Sequence, residues 1–173
     1  YYRIQDATML PPPVQPGGPP FWLAHRGKSE AAIRRTAKLG QGWFASWVSP
    51  GSFQRVWNRT LEYAQGYGRD PSTLTAASII RIYVSDNKED AIQRTSENRT
   101  RIYGHAGNPG MADHLQCLGT PQQCAEKLQA FLDAGLTHIH VEVPAPPEEQ
   151  DEQLKAIVRD VLPLVGVSLG TSR

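Results

Sequence analysis

The hexapeptide Ala24-His25-Arg26-Gly27-Lys28-Ser29 places two cations, a glycine and a capping hydroxyl between an apolar run and a helical pattern. Backbone N–H groups at a helix N-terminus, together with the helix dipole, favour a phosphate, and Arg26 or Lys28 can add charge-assisted bonds. The same composition also suits an ordinary strand-to-helix turn with solvated basic residues, because capping hydroxyls are common at helix starts. A P-loop is excluded. That motif needs a glycine five residues before its Gly-Lys pair, and this position holds Trp22.

His138, His140 and Glu142 alternate along one face of a strand pattern. Three ligands on one strand rarely converge on a single ion, and no Cys or His cluster elsewhere adds the spacing of a metal site. These side chains are therefore expected to line a barrel interior or a substrate surface. Cys117 and Cys124 lack an evident base and are expected as free structural thiols, with a disulfide between them as the alternative. The motifs G-x-S-x-G, H-E-x-x-H and G-x-G-x-x-G do not occur, so no catalytic residue is assigned. Trp22, Trp43, Trp47 and Trp57 are expected as core and wall aromatics.

The elements that must position these residues alternate along the chain. Residues 11–20 hold six prolines and two glycines, which makes them a rigid extended lead-in. Strands are predicted at 21–24, 42–47, 74–85 and 137–143, the third from its β-branched and aromatic content and the last from strict alternation. Helices are predicted from the Ser29 cap to Gly40, from Ser49-Pro50-Gly51 to Gly66, over 88–103, from Thr120-Pro121 to Ala134, and over 148–162. Residues 104–110, rich in glycine, read as a loop. A β-α-β-α-β-α-(α)-β-α order implies a parallel sheet with right-handed crossovers. Either an open doubly wound sheet or part of a (β/α)8 barrel satisfies it.

The chain has 173 residues, enough for one domain with a real core, whereas eight βα units need about 250 residues. Its 18 basic and 17 acidic residues leave a net charge of +1, which gives no footprint for nucleic acid or an anionic membrane. With no secretory signal and no twenty-residue apolar span, the expected location is cytoplasmic. The opening YYRIQDATML lacks an initiator Met and reads as though it begins mid-domain. The organisation predicted is a lead-in over 1–20, a half-barrel unit over 21–165 and a tail over 166–173.

Taken in order, a set of landmarks resembles the bacterial luciferase-like oxidoreductases. They are PPPVQPGGPPFWLAHRGKSEAAIRRTAKLGQGWFAS, Gly68-Arg69-Asp70-Pro71, the strand 74–85, Leu118-Gly119-Thr120-Pro121, and Ala134-Gly135 ahead of Val141. The resemblance implies an α/β chain of four βα units, strands five to eight of a (β/α)8 TIM barrel, that is, a half barrel. It also implies a flavin-dependent oxidoreductase or monooxygenase that uses FMN or coenzyme F-420 on a small-molecule substrate, with this chain contributing the cofactor-phosphate end of the site.

By position, Ala24 and His25 stand where the family has Gly-Gly. Ser46 stands where a Thr or Ser contacts the phosphate, and Arg26, Gly27, Lys28 and Ser29 form the adjoining helix start. Gln41 replaces the family's Asp. The alternative from another class is a non-catalytic half-barrel fragment acting as a subunit or interaction module. A half barrel leaves two sheet edges unpaired, so the expected partner is a second copy or a complementary N-terminal half.

Overall fold

Local capping chemistry divides the chain. In the computed structural model, which describes residues 3–8 and 10–167, helix α1 (Glu30–Leu39) starts at Ser29, whose hydroxyl accepts the Ala32 N–H, and stops at Gly40. Helix α2 (Pro50–Gly66) starts at Ser49 and α3 (Lys88–Tyr103) at Asn87, each side chain accepting an orphan N–H of the first turn. Helix α5 (Pro121–Asp133) opens on a reciprocal capping box between Thr120 and Gln123.

Strands β1 (Trp22–His25), β2 (Gly42–Ala45), β3 (Thr75–Val84) and β5 (His138–Glu142) lie, within a few residues at their ends, where the sequence predicts them. Three features differ from expectation. A fifth strand, β4 (Cys117–Gly119), is too short to carry a period-2 signal and pairs with the end of β3. Helix α4 (Pro109–Leu115), capped by Asn108, begins inside the stretch read as a loop. Helix α6 (Pro147–Ala156) is shorter than predicted and passes into a π turn over Ile157–Val161 and a 3-10 turn over Leu162–Val165. Pro163 in that last turn cannot continue an α-helical ladder. The predicted tail lies, beyond residue 167, outside the described residues.

All pairings are parallel: β1 with β2, β2 with β3, and β3 with both β4 and β5. The register aligns Leu23 with Trp43 and Ala76, and Ala24 with Phe44 and Ala77, so two faces are defined. On the outer face Trp43, Ala45, Ala76, Ile80 and Ile82 are buried against α2, α5 and the 157–165 segment. Trp43 stacks on Phe53 at 4.8 Å, and Phe53 meets Phe131 edge-on at 6.3 Å. The inner face carries Trp22, Ala24, Phe44, Ala77, Ile79, Arg81, His138, His140 and Glu142. In a flat sheet β1 and β5 would stand three strand spacings apart, about 14 Å. The Trp22 and His138 rings instead meet at 5.2 Å across that face, so the sheet is curled like a barrel wall.

Among the described residues, no helix is long and apolar enough to cross a membrane.

Phe53 is fully buried between two aromatic neighbours, and Phe53→Ala leaves a cavity that the curled sheet cannot collapse to fill. The expected loss in urea unfolding is about 3–5 kcal/mol.

Candidate functional site

Parallel pairing brings every strand's C-terminal end, and every loop that follows, to one end of the sheet. His25 pairs with Ala45, so Arg26 and Ser46 leave adjacent strand ends together. Arg26, Lys28 and Ser29 are exposed, and Ser46 is half-buried. Neither Arg26 nor Lys28 enters an ion pair among the described residues. The hexapeptide thus offers two unpaired cations beside the N-terminus of α1.

His25 behaves differently from its neighbours. Its Nδ1 accepts the Gly27 N–H at 3.0 Å, and its Nε2 lies 3.1 Å from Thr36 Oγ1, whose own proton goes to the Ala32 carbonyl. The ring is therefore the neutral Nε2–H tautomer, stacked on Trp43 at 5.3 Å, with both nitrogens spent inside the fold. Burial and, to a lesser degree, the charge of Arg35 hold its pKa below the ordinary histidine value. His25 is consequently not a free phosphate donor, because its side chain faces α1 and locks the turn. Gly27, at φ +71°, passes so close to α2 that a Cβ there would sit 2.4 Å from Val56 Cγ2. Gln41 is also structural: its Oε1 accepts the Phe21 N–H at 2.8 Å and fastens the start of β1.

The inner-face strand residues separate into two kinds. His138 and His140 are exposed, whereas Glu142 is clasped by Arg81 through Nε–Oε1 at 2.9 Å and Nη2–Oε2 at 2.7 Å. Cys117 and Cys124 are buried free thiols. Burial pushes Cys124 up to about 12 and Cys117 higher still, which leaves neither as a nucleophile at neutral pH.

A second cluster at the same end escaped the sequence reading. A cavity of about 220 Å³ opens at the C-terminal mouth, lined among others by Trp47, Arg81, Arg99, Arg101, Gln116 and Glu142. Trp47 adopts φ +57°, a backbone state that a bulky side chain rarely takes, and such strain collects at functional sites. The Arg81 guanidinium lies 4.3 Å and that of Arg99 5.2 Å from its ring. One available signal was Arg81 itself, an arginine inside the apolar run of β3 and in phase with inner-face Ala77 and Ile79.

A luciferase-like monooxygenase family model matches residues 1–138. The chain belongs to the luciferase-like monooxygenase family. Among curated relatives of this luciferase-like chain is an F-420-dependent glucose-6-phosphate dehydrogenase of Kineococcus radiotolerans. It is 24% identical, with 95% of this chain and 53% of the relative covered. Among solved structures, an F-420-dependent secondary alcohol dehydrogenase bound to an F-420–acetone adduct superposes with a TM-score of 0.74 at 16% identity, covering 95% of this chain and 54% of that one. The oxygenating component of 3,6-diketocamphane monooxygenase from Pseudomonas putida, in complex with FMN, gives 0.58 at 17% identity over 83% and 48%. The luciferase-like chain thus spans about half the length of the relatives it matches.

The depressed pKa of His25 has a signed consequence for stability. Below the ordinary value of 6.5 the unfolded chain takes up a proton that folded His25 resists, so stability falls with pH until the folded value is crossed. Urea midpoints measured between roughly pH 7.5 and 5 should decline less steeply in His25→Gln than in the unmodified chain.

Proposed function

We propose that the chain is the C-terminal half of a flavin- or deazaflavin-dependent oxidoreductase, with residues 21–165 as the barrel unit, 1–20 as its lead-in and 166–173 as a tail. In this reading the β1–α1 turn and the end of β2 supply the cofactor-phosphate end of the site. The observation that carries it is the pairing of strand ends that sets Arg26 beside Ser46, next to the N-terminus of α1. The donor set fits a phosphate group: Arg26 and Lys28 are unpaired cations, Ser46 carries a hydroxyl, and the helix start adds its dipole. Ala24, Gly27 and Ser29 shape the approach, and His25 holds the turn rigid through Gly27 and Thr36.

FMN or coenzyme F-420, when bound, supplies the hydride-transfer or oxygen chemistry. This chain's own residues bind and orient it and exclude water. Trp22, Phe44 and Ile79 form an apolar inner wall, and Arg81 and Glu142 neutralise each other at its rim. The F-420 named for two relatives and the FMN held by a third keep both cofactors in the proposal.

Strands β1 and β5 each have a single strand partner among the described residues. We infer that these edges pair with a complementary half or a second copy, because unpaired backbone on both edges invites strand addition.

Titration of the chain with FMN and with coenzyme F-420, followed by cofactor fluorescence, tests this reading. One cofactor should bind, alone or after a complementary N-terminal half is added. Arg26→Ala and Ser46→Ala should each weaken it about tenfold, the order of one charge-assisted hydrogen bond. Failure of both cofactors under both conditions would leave the non-catalytic interaction module as the better account.

A further inference from the structure

The arginine cluster at the C-terminal mouth does more than complete a wall. The Arg81 side chain is 14% exposed and held by Glu142 through two bonds. Arg99 has no such partner: it enters no ion pair among the described residues, and its Nε is buried without a hydrogen bond. Two aromatic faces clasp its guanidinium instead, Trp47 and Tyr103, each at 5.2 Å. Gly107, at φ +79°, gives it room, since a Cβ there would stand 2.7 Å from Arg99 Nε. Arg101 lies alongside and donates to Asn98 Oδ1 at 2.7 Å.

A second orphan borders the same cavity. Gln116 is only 7% exposed, and its Oε1 is buried without a partner. Buried polar groups are almost always paired, so two unpaired ones on a single cavity call for a polar partner seated there. The charge also points one way, because three guanidinium groups face one carboxylate that is already neutralised.

We propose that this cavity binds a small oxyanion, a carboxylate or phosphate group, seated on Arg99 and Arg101. A hydroxyl on the same ligand, or the proton of hydrogen phosphate, would donate to Gln116 Oε1. The volume sets the size. About 220 Å³ is some seven waters at about 30 Å³ each, room for a phosphate or a short hydroxy acid but not for a flavin ring system. The aromatic clasp holds the guanidinium in place without consuming its donors, so the site is preorganised. The proposal stands on this cavity and not on the cofactor reading.

Isothermal titration of the chain with inorganic phosphate and with glycolate, at fixed ionic strength maintained with chloride, tests it. Saturable binding that the cavity variants weaken assigns the site: phosphate alone makes it a phosphoryl site, glycolate alone a carboxylate site, and both an oxyanion site without that preference. Arg99→Gln and Arg101→Gln should each raise the dissociation constant about tenfold or more. Arg34→Gln, on the exposed face of α1, should leave it unchanged. Arg101 is exposed, so its variant keeps the test valid even where Arg99→Gln disturbs folding. Absence of saturation by either anion, or equal binding by the unmodified chain and both cavity variants, would overturn the proposal.

Discussion

Trp22 and His138 stand on strands separated by two others, yet their rings meet at 5.2 Å, and that meeting requires the parallel sheet to curl. The curl makes the two faces unequal. The outer face is convex and takes helices, whose apolar stripes close over Trp43, Ile80 and Ile82. The inner face becomes a trough whose side chains converge, so His138 on β5 reaches the Trp22 indole on β1. Because every strand runs the same way, the loops also converge, and cations from the β1–α1 turn, β3 and α3 gather at one end of the trough.

Stability and function use different faces of the same strands. The packed rings of Trp43, Phe53 and Phe131 fill the outer layer and anchor α2 and α5 to the sheet. His25 belongs to that layer although it sits in the turn with the anion-friendly residues. It trades both ring nitrogens for a rigid connection between β1 and α1. Charge is handled by pairing at the rim, where Arg81 clasps Glu142, and by aromatic clasping further out, where Arg99 lies between Trp47 and Tyr103. The positive φ of Trp47 sets its ring within reach of both guanidinium groups.

What the sequence made legible was local. Ser29, Ser49 and Thr120 cap helices through hydroxyl groups three residues from their targets, so their roles follow from spacing. Alternation likewise set His138, His140 and Glu142 on one face. Strand β4 was hidden because three residues cannot display a period, and α4 because a Gly- and Pro-rich stretch masks its start. The engagement of His25 by Thr36 depends on how α1 docks, which no spacing encodes. The mouth cavity was hidden for the same reason, since Trp47, Arg81, Arg99 and Gln116 come from separate parts of the chain. Family order added the barrel context that local chemistry could not supply.

Without the curl of the sheet neither the trough nor the shared mouth exists. Nuclear Overhauser spectroscopy on the folded chain measures the curl directly, through cross-peaks between the Trp22 indole and the His138 imidazole protons. A curled sheet gives such cross-peaks, together with none between residues that face opposite sides of β3. Absence of the Trp22–His138 cross-peaks, in a chain whose β1–β2 and β3–β5 strand contacts are intact, would mean a flat open sheet and would contradict the curl.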